Sequence, residues 1–357
     1  MKIVYVGMSG GVDSSVTAAL LQDKGYKVTG VYMKNWTQNI GGFECPWRED
    51  FEDAKRTATK LKINFEVFDF QKEYKQKVVD YMIDEYKAGR TPNPDVMCNQ
   101  EVKFKLFLDT ALEKGADLIA TGHYSRVENA ASLKSQVSSL ESGGARLKMA
   151  RDKNKDQTYF LYRVTSEALE KTLFPIGEFK TKEEVRKLAK QFGLPTADKK
   201  DSQGICFVGE VGIKDFLSEY VATEPGPIID QNNNLIGEHE GAIFYTIGQR
   251  HGLNVGGGLP YYVTKKDMKR NIVYVTTDLS DKNLWSKEIK LEEIHWINQQ
   301  PTNNQQPKVR LRYRGPLVDC QIKNKKLILS EEQRAISAGQ SAVIYAGDQC
   351  LGGGIIS

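Results

Sequence analysis

Apolar and polar residues follow two different periods in the first half of the chain. Apolar runs of strand length lie at residues 2–6, 28–33, 64–70 and 117–120. Between them, apolar residues recur three and four positions apart, as in amphipathic helices, at residues 12–24, 50–61, 74–87 and 101–114. Strands that alternate with helices are typical of a doubly wound parallel sheet, which binds ligands beyond the carboxyl ends of its strands. We therefore predict an α/β domain over residues 1–208.

The pattern changes in the second half. A last helix is predicted at residues 181–194, with Thr181 as N-cap and Glu184 completing a capping box. Residues 209–276 are rich in Gly and Pro and predict a small central domain. Residues 277–357 contain short alternating runs between polar turns, which predict a C-terminal β-barrel. The serine-rich stretch around residues 130–145 predicts an exposed loop or hairpin tip, and we assign it no function.

Composition narrows the class of protein. The chain has 357 residues and a formal net charge of +4, which permits nucleic-acid binding without requiring it. No stretch reaches the roughly 20 apolar residues that span a bilayer, so we expect no membrane association and a cytoplasmic location. The five cysteines are scattered and odd in number, which disfavours a disulfide scaffold or a zinc finger.

A glycine-rich loop between the first strand and the first helix is the clearest candidate site. Its backbone N–H groups would lie at a helix N-terminus, where the helix dipole favours an anion. The loop has neither the sequence of a Walker loop nor that of a dinucleotide-binding fingerprint. The non-functional alternative is a capped, glycine-rich helix start. The candidate phosphate-binding residues are Gly7, Met8, Ser9, Gly10, Gly11, Val12, Asp13 and Ser14.

The string Ser9–Ser14 resembles the pyrophosphate loop of ATP pyrophosphatases, which share the adenine nucleotide alpha hydrolase-like fold. That family cleaves ATP to AMP and pyrophosphate while it adenylates a substrate oxygen. The resemblance implies ATP as cofactor, with Mg²⁺ expected to neutralise its phosphates. Asp13 is a candidate magnesium ligand, and the other ligands would come from the substrate.

Two cysteines lie in segments that suggest thiol chemistry. Cys98 follows a proline-containing stretch and is expected near a helix N-terminus, a position that lowers the pKa of a thiol. Cys206 lies among glycines and polar residues, where a loop is expected. A lone cysteine is more often a small buried apolar residue, so each would be weak evidence by itself.

Seven strings together resemble MnmA-type tRNA-specific 2-thiouridylases. They occur in the family's order and extend over nearly the whole chain: SGGVDSS (9–15), NPDVMCN (93–99), ATGHY (120–124), KDQTYFL (155–161), DSQGICFVG (201–209), YTIGQRHGL (245–253) and LRYRG (311–315). Members of that family replace oxygen by sulfur at C2 of the wobble uridine of tRNA. They use ATP to turn this oxygen into a leaving group.

The resemblance implies roles for individual residues. Met33 and Gly122 would flank the adenine. Cys206 would carry the incoming sulfur as a persulfide, and Cys98 would resolve it in a transient Cys98–Cys206 disulfide. Asp95 would move a proton, its alternative being a turn-forming Asp after proline. The sulfur would come from a cysteine desulfurase or a sulfur-relay protein.

Contacts with tRNA are also implied. The family pattern assigns them to Asn93, Pro94, Asp95, Lys155, Asp156, Gln157, Arg312 and Tyr313. From the sequence itself, Lys308, Arg310, Arg312 and Arg314 alternate as they would on one face of a strand. That face would neutralise phosphates, and a solvated barrel face is the alternative. We expect His123 to be structural or a neighbour of the nucleotide.

Two other functions remain open at this point. A pyrophosphate-loop ligase similar to argininosuccinate synthetases would adenylate a small substrate and would need no cysteine pair. A non-catalytic RNA-binding protein that senses nucleotide or redox state would use the same segments, but it would release no pyrophosphate in response to tRNA.

Overall fold

The computed structural model describes all residues except 41, 43, 129–143, 201–211, 254 and 257. Of Asn303 it describes the backbone but not the side chain. The strands in chain order are β1 (Ile3–Gly7), β2 (Lys27–Lys34), β3 (Asn64–Asp69), β4 (Leu118–Thr121), β5 (Ser125–Glu128), β6 (Arg146–Met149), β7 (Thr172–Leu173), β8 (Gly226–Ile229), β9 (Leu235–His239), β10 (Tyr262–Asp267), β11 (Ile272–Thr276), β12 (Trp285–Trp296), β13 (Lys308–Arg310), β14 (Val318–Lys323), β15 (Lys326–Arg334), β16 (Ser341–Ala346) and β17 (Gln349–Ile356).

The helices of the described residues lie between these strands in the sequence. In chain order they are α1 (Val12–Asp23), α2 (Trp47–Leu61), α3 (Gln71–Tyr74, then π-helical Lys75–Asp80, then Tyr81–Lys87), α4 (Pro94–Met97, then π-helical Cys98–Leu106, then Phe107–Glu113), α5 (Ser166–Glu170), α6 (Lys182–Gln191) and α7 (Ile213–Ser218). Short 3₁₀ turns occur at Thr158–Phe160, Pro175–Glu178, Ala242–Phe244, Lys282–Leu284 and Asn303–Gln305.

The N-terminal domain is built on a parallel sheet with strand order β3-β2-β1-β4-β7. Side chains of β1 alternate between its faces: Val4 and Val6 pack under α1 and α2, whereas Tyr5 packs on the opposite side with α3 and α4. The strand order reverses between β1 and β4, and a crevice at such a reversal is where open α/β sheets bind ligands. The predicted doubly wound sheet is confirmed.

Local chemistry explains several boundaries. Thr181 accepts a hydrogen bond from the Glu184 N–H (3.3 Å), so it caps α6 as predicted. Glu184 accepts from the Lys180 N–H (3.1 Å), one residue before the N-cap, and not from the Thr181 N–H as in the predicted capping box. Gly193, at a φ of +62°, lies just beyond the helix end. The start of α4 differs from the prediction, because Asn93 caps a helix that begins at Pro94 rather than at residue 101.

The central sheet has strand order β10-β11-β8-β9 and its own apolar core, which includes Ile228, Val263 and Val273. The C-terminal strands follow the order β12-β15-β14-β13-β16-β17, and pairing of β12 with β17 closes them into an antiparallel barrel. The predicted succession of α/β domain, small central domain and β-barrel is confirmed.

One connection between domains had no counterpart in the sequence analysis. Strands β5 and β6 form a hairpin that leaves the N-terminal domain and pairs with β17, where Lys148 faces Gln349 and Leu147 faces Cys350. The apolar core of the N-terminal domain continues into the barrel at Tyr345, which is fully buried. The serine-rich loop predicted around residues 130–145 lies almost entirely outside the described residues.

Among the described residues, no helix is both long and apolar enough to cross a membrane.

Candidate active site

The glycine-rich loop lies at the carboxyl end of β1 and leads directly into α1. Gly11 occupies the N-cap and carries no side chain that could bond the first N–H groups of the helix. Ser9 donates its N–H to Ser14 Oγ (3.2 Å), and Ser14 Oγ donates to the Gly11 carbonyl (3.1 Å). These bonds hold the loop in shape. The backbone of the first turn of α1 is thereby available to an anion.

Gly10 requires glycine for two reasons. Its φ of +76° lies in the left-handed region, and an added Cβ would stand 2.3 Å from the Asp50 carbonyl oxygen. The loop therefore lies directly against the first turn of α2.

The two residues expected to flank adenine lie on the same edge of the sheet. Met33 is near the carboxyl end of β2, and its Cε would be 2.9 Å from a Cβ at Gly7. Gly122 follows β4, and an added Cβ there would meet the Ser14 nitrogen at 2.7 Å. Both residues thus line the loop on either side, at the reversal of strand order.

Asp13 lies in the first turn of α1 and is held by two distant side chains. Lys182 Nζ is 2.7 Å from both carboxylate oxygens, and the Tyr124 hydroxyl donates to Oδ1 at 2.9 Å. Lys182 is buried, with 8% of its surface exposed. These bonds occupy the Asp13 carboxylate, which disfavours it as a magnesium ligand. No group of three or more His, Cys, Asp or Glu among the described residues could hold a metal ion.

Cys98 lies inside α4 and not in a loop. It is buried, with 1% of its surface exposed. Asp95 precedes it by three residues, so both occupy one face of the helix. The adjacent Asn99 donates Nδ2 to the Phe160 carbonyl (3.0 Å). α4 also contacts the carboxyl end of β4, because the Phe104 and His123 rings lie 5.7 Å apart.

Three sequence segments expected to contact tRNA meet beside α4. The first helical turn of α4, Pro94–Met97, packs against Thr158–Phe160, which follows Gln157. The Tyr313 ring packs against the Phe160 ring at a tilt of 47°, with ring centroids 4.5 Å apart. The segments 93–98, 155–160 and 312–313 therefore lie next to each other, although they are far apart in the sequence.

The comparisons with known proteins agree with this geometry. Residues 2–210 match the family profile described as tRNA methyl transferase HUP domain, residues 214–277 match its PRC-barrel domain, and residues 286–356 match the aminomethyltransferase beta-barrel domain. The tRNA-specific 2-thiouridylase MnmA of Bacillus subtilis (strain 168) is 44% identical over 363 residues, which covers 99% of this chain and 94% of that protein. The corresponding protein of Oceanobacillus iheyensis is 46% identical over 360 residues, with the same coverage. The chain belongs to the family of MnmA tRNA-specific 2-thiouridylases.

For this 2-thiouridylase family member, one sequence prediction about the tRNA surface is wrong. Strand β13 ends at Arg310, and residues 312–315 form a turn in which the Gly315 N–H donates to the Arg312 carbonyl (2.9 Å). Arg310 is buried and pairs with Asp156, whereas Arg312 and Arg314 are exposed. The basic residues therefore do not share one strand face, because the alternation stops where the strand ends.

The predicted site residues differ in how accessible they are. Asn93, Asp95, Lys155, Gln157 and Tyr313 are half-buried, and Arg312 is exposed. Pro94 and Asp156 are buried, and Asp156 has 2% of its surface exposed. Cys206 lies outside the described residues. The roles implied for all of these residues stay predictions.

The other three cysteines have raised pKa values. Burial raises the pKa of Cys320 to about 12, with the charge of Asp319 acting in the same direction. Burial also raises the pKa of Cys350 and of Cys45. A raised pKa leaves these groups as thiols near neutral pH, and the thiol is a poor nucleophile.

Sequence reasoning missed two lysines. Lys182 reaches Asp13 across 169 positions, and no local pattern signals such a pair. Lys199 bonds to Asp50 (2.7 Å) and Asp53 (2.6 Å) on α2, beside Gly10. Burial alone would lower the pKa of Lys199, but its hydrogen bonds to the two carboxylates raise it. Lys199 thus ties the chain that precedes residue 201 to the helix that covers the loop.

Proposed function

We propose that this protein is a tRNA-specific 2-thiouridylase that uses ATP to thiolate C2 of the wobble uridine. The observation that carries the proposal is the position of Cys98 on α4. This helix contacts the carboxyl edge of the nucleotide-binding sheet through Phe104 and His123, and it contacts the implied tRNA segments through Asn99 and Phe160. The identity of 44% and 46% to two MnmA proteins, over 99% of this chain, supports the same activity.

The loop residues would hold ATP without large side-chain movement. The N–H groups of residues 10–14 and the hydroxyl of Ser9 would contact its phosphates, while Met33 and Gly122 would lie beside the adenine. Lys182 would supply positive charge at the start of α1, once its contact with Asp13 is shared with phosphate. We expect Mg²⁺ to be held mainly by the phosphates of ATP. When bound, ATP would supply the activation of the uridine O2 oxygen.

The thiol chemistry would be divided between two cysteines. The terminal sulfur of a Cys206 persulfide forms a bond to C2 as AMP leaves. The Cys98 thiolate then attacks Cys206 Sγ, which breaks the S–S bond to the transferred sulfur and leaves a Cys98–Cys206 disulfide. Asp95, on the same helix face as Cys98, would accept the thiol proton. A thiol reductant must reduce the disulfide before the next turnover.

Further parts of the proposal concern context. The sulfur donor would be a cysteine desulfurase or a relay protein, and the location would be cytoplasmic. We also propose that the domains divide at residues 208 and 276.

The test is direct measurement of the product. Purified protein is incubated with ATP, Mg²⁺, unmodified tRNA and a persulfide source, and the digested tRNA is analysed for 2-thiouridine by mass spectrometry. We expect ATP-dependent 2-thiouridine from the wild type and none from Cys98→Ser or Cys206→Ser. Cys320→Ser is the matched control and should retain activity, because Cys320 lies in the barrel core.

Two results would count against the proposal. Wild-type protein that makes no 2-thiouridine, despite detectable sulfur on Cys206, would favour the ligase or the RNA-binding alternative. Full activity in Cys98→Ser would remove Cys98 from the mechanism.

A further inference from the structure

Residues 150–160, here called the bridging segment, connect the ATP loop to the barrel. On the loop side, Gln157 and Tyr124 exchange two hydrogen bonds: the Tyr124 N–H donates to Gln157 Oε1, and the Gln157 N–H donates to the Tyr124 carbonyl, both at 2.8 Å. The Tyr124 hydroxyl in turn donates to Asp13 at 2.9 Å. Gln157 is therefore connected through Tyr124 to Asp13 at the start of α1.

On the barrel side, the bridging segment is tied to the turn at residues 312–315. The Tyr313 ring packs against the Phe160 ring, and Arg314 Nε donates to the Asn154 carbonyl at 3.1 Å. Arg312 stands exposed in this turn. The turn and the bridging segment are therefore in direct contact.

Asp156 lies at the centre of the bridging segment, with its side chain 1% exposed. Its Oδ1 accepts from the Ala150 N–H (3.0 Å), and its Oδ2 accepts from Thr158 Oγ1 (2.8 Å) and Arg310 Nη1 (3.0 Å). Arg310 ends β13, two residues before the turn, and its guanidinium lies over the Tyr345 ring at 5.3 Å. A carboxylate that is buried and bonded in this way has no surface to offer to tRNA.

We propose that Asp156 is a positioning residue, which together with Arg310 couples tRNA binding at the 312–315 turn to the ATP loop through Tyr124 and Asp13. The proposal rests on the proposed function and departs from the direct tRNA contact that the family resemblance implies for Asp156. Two charges that are buried together act as a unit, because removing either one leaves the other buried without a partner. Both single variants should therefore have the same consequence for the loop.

The test measures coupling between two bound ligands without turnover. The affinity for α,β-methylene ATP is determined with and without saturating tRNA, and the ratio of the two affinities is the coupling factor. We expect a factor of about five or more for the wild type, as is typical of coupled sites. Asp156→Asn and Arg310→Met should both reduce it to about one, and Arg310→Lys, which keeps the charge, should retain more coupling than Arg310→Met.

Two further variants sharpen the interpretation. The double variant Asp156→Asn/Arg310→Met should lose no more coupling than either single variant. It leaves no buried charge without a partner, so it can still be measured if a single variant fails to fold. Lys308→Met is the matched control: Lys308 lies on the same strand but pairs with Asp319 (3.1 Å) at an exposed position. It should keep wild-type coupling.

A second measurement separates positioning from contact. Arg310→Met should leave the salt dependence of tRNA binding unchanged, because a buried, paired guanidinium releases no counterions from tRNA. A reduced slope in Arg310→Met would overturn the proposal, as would wild-type coupling in both single variants or multiplied losses in the double variant. Failure of the wild type to make 2-thiouridine would contradict the proposed function but not the coupling, because the coupling is measured by ligand binding.

Discussion

Three buried polar side chains near the candidate site each have a specific partner. Lys182 bonds to Asp13, Arg310 bonds to Asp156, and His123 Nδ1 lies 2.7 Å from Thr121 Oγ1. A buried polar group without a partner costs about 1–3 kcal/mol, more if it is charged. Substitutions at these positions should therefore affect stability and pH dependence, even where no ligand is touched.

His123 offers a pH-dependent test at this scale. It is 9% exposed and lies between the Phe104 and Phe174 rings, and burial lowers its pKa well below 6.5, with the charge of Lys103 acting in the same direction. The folded protein keeps the ring neutral while the unfolded chain takes up a proton below about pH 6.5. The free energy of unfolding should therefore fall as pH drops below this value, by up to about 1.4 kcal/mol per pH unit.

Urea unfolding of wild type and His123→Gln between pH 7 and pH 5 measures this contribution. The variant should show a shallower decline towards low pH. His251→Gln, at an exposed histidine, should decline like the wild type. An equal slope in His123→Gln and wild type would contradict the assignment.

At the scale of elements, the ends of helices and strands determine where chemistry can occur. The start of α1 has no side-chain cap beside the glycine-rich loop, the early start of α4 places Cys98 within a helix, and β13 ends at Arg310, before the 312–315 turn. In each case one or two residues at the boundary decide the outcome, and the interior of the element serves as the support.

Gly10→Ala should damage the phosphate loop. The left-handed backbone costs a non-glycine residue roughly 1–2 kcal/mol, and its Cβ would collide with the Asp50 backbone. We expect ATP affinity to fall by more than about ten-fold, which corresponds to 1.4 kcal/mol. Isothermal titration with α,β-methylene ATP measures it.

Gly11→Ala is the matched control for this prediction. Gly11 has φ −90° and ψ 165°, and an added Cβ there meets only Ser9 Oγ, at 3.5 Å. Its ATP affinity should stay near that of the wild type. If both alanine variants bind ATP equally well, the strained backbone at Gly10 is not what shapes the loop.

Arg312→Ala tests the turn after β13. Arg312 is exposed, and a phosphate contact made by it would release about one counterion. The variant should bind tRNA more weakly, and the slope of log K against log salt should decrease by about one. Lys323→Ala, which removes an exposed charge from β14, serves as the control in filter-binding titrations. An unchanged slope in Arg312→Ala would place the tRNA backbone elsewhere.

At the scale of the whole molecule, the barrel is joined to the N-terminal domain through the β5–β6 hairpin. Asp348 precedes β17 and accepts hydrogen bonds from Arg126 (2.7 Å) and Lys148 (2.8 Å) of the hairpin. A second junction lies at Thr91, whose N–H donates to the Ala338 carbonyl of the barrel (2.8 Å) and whose hydroxyl is 3.1 Å from that of Thr246 in the central domain. The chain that leads into α4 is therefore held by both other domains.

Asp348→Asn should loosen the hairpin from the barrel. Partial burial by itself would raise the pKa of Asp348, but its bonds to Lys148 and the charge of Arg126 outweigh burial and lower it. Because the folded pKa is depressed, this stabilisation is present above about pH 4 and is lost as pH falls through the folded pKa. We expect a loss of about 1 kcal/mol at pH 7, given partial exposure, that shrinks towards pH 3.

Hydrogen exchange at Leu147 and Cys350, which face each other across β6 and β17, measures this loosening at pH 7. Denaturant unfolding at pH 7 and pH 3 measures the loss of stability. Asp319→Asn, which breaks an exposed ion pair of the barrel, should leave exchange at the hairpin unchanged. Wild-type protection in Asp348→Asn would show that strand pairing alone holds the hairpin.

Much of the fold, and the position of the glycine-rich loop, could be predicted from the sequence. The first four strands, α1, α2 and α6 were predicted, because hydrophobic periodicity and capping are local properties. The start of α4 was missed although its signal is local: Asn93 followed by Pro94 is a typical helix N-terminus. The basic strand face was predicted wrongly, because alternation in a sequence does not say where a strand stops pairing.

The sequence by itself determined the fold class, the glycine-rich loop and the family, because these depend on the order and spacing of residues. Only the tertiary structure decided that Lys182 bonds to Asp13, that Arg310 is buried on Asp156 and that the β5–β6 hairpin extends the sheet of the barrel. The partners in each case are far apart along the chain or belong to different domains. Such contacts are selected by the packing of finished elements against each other, and no local pattern encodes which distant charge or strand edge will be nearest.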